Sequence, residues 1–124
     1  MSQRRQALGA FGERVAAHRL EAAGMAIVTR NARTPSGEID IVTRDGDDVV
    51  FVEVRTRRAD PGTAAESLDT RKLQRMWRCA MEFCEQHELD PEQVRIDLVS
   101  LDLGDRDSVT HIEHFRGLEI PDEE

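Results

Sequence analysis

A chain of 124 residues is sized for one domain and can bury a core without disulfide or metal staples. With 39% hydrophobic and 34% charged residues, no apolar run approaches the roughly 18 residues of a membrane-spanning helix. The net charge of −8 is uneven, +2 over residues 1–84 and −10 over 85–124, so a polyanion partner is not excluded: local potential governs a cleft.

The opening "MSQRRQALGAFGERV" is charged and has no apolar h-region, so no secretory signal is expected and the cytoplasm is the expected location. Residues 4–23 predict a helix. Leu8, Phe11, Val15, Ala16, Leu20 and Ala23 gather on one face at 3.6-residue period, and Gly24 stops it. Glu13 falls at the edge of that apolar face. "MAIVTRNART" predicts a first strand and "TPSG" a turn. Residues 38–43 and 48–56 predict two more strands, and "RDGDD" between them signals a tight hairpin. Residues 57–67 read as loop. Asp69 or Thr70 caps a second helix running to about Glu88, with Leu73, Met76, Trp77, Ala80, Met81 and Cys84 as its core face and Arg71, Arg75 and Arg78 opposite. Those arginines suit either a phosphate backbone or a solvated face with Arg78–Glu82 pairing. Trp77 is expected in the core rather than stacked on a base. "RIDLVSLDL" and "VTHIEHF" predict two final strands. Residues 1–117 read as one domain and 118–124 as an acidic tail, whose end "IPDEE" is expected to fray. The order α-β-β-β-α-β-β implies an α/β sandwich with a mixed sheet of about five strands.

Cys79 and Cys84 fit neither a metal knuckle nor a disulfide framework, and read as small apolar core residues. His111 and His114 alternate on a strand and point to opposite faces, so a shared metal is not expected. Of the 17 cations 16 are Arg. That suits bidentate phosphate contact, and genome base composition accounts for it equally well.

The stretch "SGEIDIVTRDGDDVVFVEVRTRR" carries the chemistry. A two-residue turn at Asp45-Gly46 or Gly46-Asp47 makes paired residue numbers sum to 91 or 93, and either sum puts Asp40 and Glu53 on one side. Arg55 lies beside them and Glu38 at the margin. Buried like charges are costly unless a cation lies between them. Oxygen ligands with open positions match Mg²⁺, and arginines would hold flanking phosphates. A cross-strand salt-bridge cluster on a solvated face is the plainer explanation of the same pattern.

"GEID…FVEVRTR" resembles the PD-(D/E)XK nuclease motif. Over nearly the whole length, "GAFGERVAAHRLEAAG", "IVTRNART", "GEIDIV", "VVFVEVRTRR", "RIDLVSL" and "HIEHFRG" resemble the YraN-type family of uncharacterised bacterial proteins. The resemblance implies a restriction-endonuclease-like core similar to archaeal Holliday-junction resolvases. It also implies Mg²⁺- or Mn²⁺-dependent cleavage of DNA, branched or single-stranded, by a homodimer. By position it makes Asp40 and Glu53 metal ligands and Glu13 the extra helical acid. Arg55 takes the place of the motif lysine. Arg33, Arg57, Arg58 and Lys72 become nucleic-acid contacts. Arg55 departs from the motif: it stays charged and is a poor general base, though it can stabilise a phosphorane-like transition state. A non-catalytic nucleic-acid-binding protein on the same fold is the alternative.

Overall fold

The structure is a computed structural model that describes residues 3–58 and 68–122, with side chains from Leu8 onward. Helix α1 spans Gln3–Ala22, followed by strands β1 (Ala26–Thr34), β2 (Gly37–Asp45) and β3 (Asp48–Arg58). Helix α2 spans Thr70–His87, and β4 (Val94–Leu103) and β5 (Val109–Phe115) complete the chain. The strands lie in one sheet in the order β1-β2-β3-β4-β5. Only β3 and β4 run parallel, and every other pair is antiparallel. The α/β class, the mixed five-stranded sheet and the element order are as expected. The expected loop at 57–67 falls mostly on residues outside the description, and β3 itself continues to Arg58.

Each face of the sheet buries one apolar layer. On one side Ala16 and Leu20 of α1 pack with Ile41, Val50, Val52, Val99 and Leu101. On the other, Cys79, Ala80, Phe83 and Cys84 of α2 pack with Val42, Val49, Phe51 and Ile96. Phe51 and Phe83 meet edge to face at 5.5 Å, a favourable aromatic geometry. The two cysteines are buried and free, as expected.

Three expectations need correction. The buried stripe of α2 runs through Cys79, Ala80, Phe83 and Cys84, and helical spacing leaves Trp77 at its edge, 39% exposed. Ala23 is exposed, since α1 ends at Ala22 and Ala23 lies in the turn toward β1. The segment after β5 is held rather than frayed as far as Asp122, and residues 123–124 lie outside the described ones: Leu118 and Ile120 pack against the α2-side core, Leu118 N donates to Ile96 O, and Gln74 Nε2 donates to the Pro121 and Asp122 carbonyls.

Close approach fixes α1 over β3. A Cβ on Gly12 would lie 2.0 Å from Thr56 Oγ1, so only glycine lets the helix sit so near. Asp69 caps α2 by accepting from Lys72 N. At the far end of the sheet, fully buried Asp97 accepts from Arg95 Nε and Nη2, Gly117 N and His114 Nε2, and Arg95 Nη1 reaches Asp45 at 2.9 Å. Burial alone would raise the Asp97 pKa, but Arg95, Gly117 and His114 outweigh it and hold it below the ordinary value.

Candidate functional site: a carboxylate fork

The β2–β3 hairpin has the tight turn that the sequence signals. Asp45 pairs with Asp48 and Ile41 with Val52, so paired numbers sum to 93, and Gly46 takes φ 62° in the turn. Continued one step, this register sets Asp40 opposite Glu53, but the ladder stops at Ile41. Val54 N donates at 2.8 Å to Asp40 Oδ2 instead of to a strand carbonyl. Alternation breaks at the same point. Ile41 belongs to the α1-side core, yet Ile39 packs on the α2 side with Val42 and Phe51. The strands therefore fork, and the Asp40 carboxylate takes the place of the missing ladder bond.

The Asp40 and Glu53 carboxyl groups perturb one another within this fork. Burial, then the Asp40 charge, pushes the Glu53 pKa up to about 7, against the pull of Arg55. Burial also raises Asp40, opposed by its bond from Val54 N. Arg55 Nη2 lies 3.2 Å from Glu53 Oε2. Two half-buried acids that perturb each other beside one arginine differ from a solvated salt-bridge face, where exposed pairs would leave both acids ionised.

Glu13 enters from α1. Its pKa is raised, first by burial and next by the Asp40 charge, which sets it beside the fork. It is not drawn into the acid pair. Arg30 Nη2 lies 3.8 Å from Glu13 Oε1, and the Asn31 amide nitrogen, turned toward the acids, donates to Glu13 Oε1 at 3.0 Å and Glu38 Oε1 at 3.3 Å. Among the described residues no three His, Cys, Asp or Glu side chains converge into a ready metal cage. Of the expected ligands, Asp40 and Glu53 face each other across the fork, and Glu13 is held to one side by Arg30 and Asn31. Glu38 stays at the margin, 3.9 Å from Arg33.

Of the expected nucleic-acid contacts, Arg33 is 90% exposed beside Glu38 and Arg57 is exposed at the end of β3. Arg58 is turned aside, with Nε 2.6 Å from Asp107 Oδ1. Lys72 lies in the first turn of α2, half-buried. Arg75 belongs nearer the acids than its sequence position implies. Its charge lowers the Glu53 pKa, and its Cδ would lie 3.8 Å from a Cβ on Gly37. Glu82 bonds Ser36 N and Oγ at 2.9 and 2.7 Å, tying the β1–β2 turn to α2 and framing the fork.

Asn31 is the residue that sequence reasoning missed. It lies opposite Asp40 in the β1–β2 register and adopts φ 54° within a strand, a left-handed conformation that Asn tolerates better than most residues. The signal available was an Asn inside an otherwise strand-forming run.

An α/β protein with a forked hairpin that holds two half-buried acids beside an arginine defines the class. The chain belongs to the uncharacterised protein family UPF0102, which matches residues 12–101. It is 44% identical over 118 residues to the UPF0102 protein of Beutenbergia cavernae, covering 92% of this chain and 97% of the relative. It is 46% identical over 112 residues to that of Paenarthrobacter aurescens, covering 90% and 92%. Among solved structures it is similar to a repair endonuclease from Pyrococcus abyssi, with TM-score 0.46, 20% identity, and coverage of 75% of this chain and 38% of that one. It is also similar to SfsA from Pyrococcus furiosus in complex with Ca²⁺, with TM-score 0.40, 14% identity, and coverage of 94% and 65%. Among the described residues no helix is long and apolar enough to cross a membrane.

Proposed function

We propose that this protein is a divalent-metal-dependent nuclease that hydrolyses phosphodiester bonds in DNA, with Asp40 and Glu53 as the ligands of a Mg²⁺ or Mn²⁺ ion. The observation that carries the reading is the fork in the sheet, where Asp40 accepts from Val54 N beyond the end of the β2–β3 ladder and the half-buried Glu53 stands against Arg55, with each acid perturbing the other. Such a pair is unfavourable by itself, and its oxygen donors suit a hard cation that keeps several waters and takes a phosphate as a further ligand. When bound, the ion would supply charge neutralisation and polarisation of the phosphate.

The chain's own residues then divide the work. Asp40 is anchored by Val54 N, so its second oxygen is aimed while the first is fixed. Arg55, already on Glu53, presents permanent positive charge where negative charge develops at phosphorus. It does not take a proton from water, because a guanidinium is not deprotonated in this range. Glu13, held by Arg30 and Asn31, supports the site from α1. Arg33, Arg57 and Arg75 supply cations for the flanking strand.

One observation favours a second reading, a non-catalytic nucleic-acid-binding protein: Glu13 is paired away from the acids, and no three ligands converge among the described residues. Cleavage of a panel of single-stranded, duplex and branched DNAs in Mn²⁺ separates the two. The nuclease reading expects nicking that falls about 100-fold or more in Asp40→Asn and Glu53→Gln. Equal activity of both variants with wild type overturns the site. Metal-independent, salt-sensitive binding without cleavage supports the second reading.

A further inference from the structure

Among the described residues, the buried side-chain polar atoms without a hydrogen-bond partner are Arg55 Nε and Ser100 Oγ. They are in-register neighbours, since Arg55 pairs with Ser100 across the parallel β3–β4 ladder. Ser100 is fully buried. Side chains of paired residues project to the same side of a sheet, here the α2 side, where Phe51 and Ile96 of the same two alternations pack. The row continues from Ser100 to Glu113 of β5, whose Oε1 is engaged by His111 Nε2, and the Ser100 hydroxyl has no partner there.

Buried polar atoms are nearly always satisfied, and an orphan calls for a specific explanation. Two adjacent orphans call for a shared one. Arg Nε is a donor only, and a hydroxyl can donate freely. Two unpartnered donors on paired residues, one on a permanent cation, are complementary to an anionic acceptor oxygen. They also lie toward the carboxyl ends of the parallel strands, the end of an open α/β sheet where ligands bind.

We propose that Arg55 Nε and Ser100 Oγ form an anion subsite on the β3–β4 floor, one residue pair along from Glu53, that takes a non-bridging oxygen of a phosphate. Arg55 thus has two roles: its Nη2 restrains Glu53 while its Nε, with Ser100, holds the strand. The subsite rests on the nuclease reading only in taking the anion to be a phosphodiester. The binding of phosphate is testable without any cleavage.

The experiment is isothermal titration of inorganic phosphate, and separately of a short single-stranded DNA, into wild type, Ser100→Ala and Arg55→Lys in phosphate-free buffer. Ser100→Ala removes only an unpaired hydroxyl, so its Tm should equal or exceed that of wild type. Its phosphate affinity should fall about tenfold or more, the value of a hydrogen bond to a charged group. Arg55→Lys keeps a cation but lacks Nε, and should lose affinity similarly. Absence of phosphate binding by wild type overturns the subsite. So does unchanged affinity in either variant, which would mean that a buried water satisfies the two donors. If phosphate binding needs both side chains while no DNA is cut, the subsite stands and the nuclease reading falls.

Discussion

Removing the Glu53 charge should reshape the pH dependence of folding. Glu53 is 14% exposed at its side chain, and its pKa rises from 4.5 to about 7 in the fold, first through burial and then through Asp40. Between those values the native state holds a proton that the unfolded chain has released. Native proton binding exceeds unfolded binding, so stability falls as pH rises. From pH 5 to pH 8 this single group should withdraw about 2.5 kcal/mol. Asp97 and Glu82, whose pKa values are lowered, change stability in the opposite sense but at lower pH, whereas Asp40 and Glu13, whose pKa values are raised, act in the same sense as Glu53, which is why the comparison with Glu53→Gln isolates its share. Urea denaturation in EDTA at pH 5 and pH 8 measures the difference. Glu53→Gln, which keeps the shape, should flatten the profile by about 2.5 kcal/mol, whatever its offset from the lost Arg55 contact. A profile parallel to wild type would refute the reasoning and place Glu53 in water.

Gly12→Ala should destabilise by about 1–3 kcal/mol through collision with Thr56, and by shifting α1 it should weaken Mn²⁺ binding. Denaturation and titration check both, and Thr56→Ala should partly rescue the fold. Asn31→Ala should cost about 1–2 kcal/mol from left-handed strain. Asn31→Gly should restore stability without restoring Glu13, seen as a further rise of the Glu13 pKa by carboxyl NMR. Asp97→Asn should cost about 3–5 kcal/mol in thermal unfolding, because Arg95 loses the buried charge it pairs with. Mn²⁺ affinity should increase as pH rises through about 7, where Glu53 gives up its proton.

What the sequence made legible was local. "RDGDD" specified the hairpin, and its register carried Asp40 to Glu53 because strand periodicity leaves only two parities. The fork itself was not legible, because nothing in "GEIDIV" says that Asp40 replaces a backbone carbonyl as the acceptor for Val54 N. Helix α2 was found at the right place but with the wrong stripe. Hydrophobicity ranked Trp77 above Cys79, whereas the buried stripe runs through Cys79 and Phe83 and leaves Trp77 at its edge. Arg75, left between a phosphate contact and a solvated face, lowers the Glu53 pKa, since helical spacing cannot say what stands across from a face. Ser100 sat unnoticed in "RIDLVSLDL", because a serine in a buried strand carries no signal until its hydroxyl is seen to lack a partner.

The central claim is that Asp40 and Glu53 jointly hold a divalent ion. Isothermal titration of Mn²⁺ into wild type and Asp40→Asn at pH 8 tests it most directly. The account predicts one ion per chain in wild type and an affinity at least about 10-fold lower in the variant. No heat of binding in wild type, or equal affinity in both proteins, would contradict it.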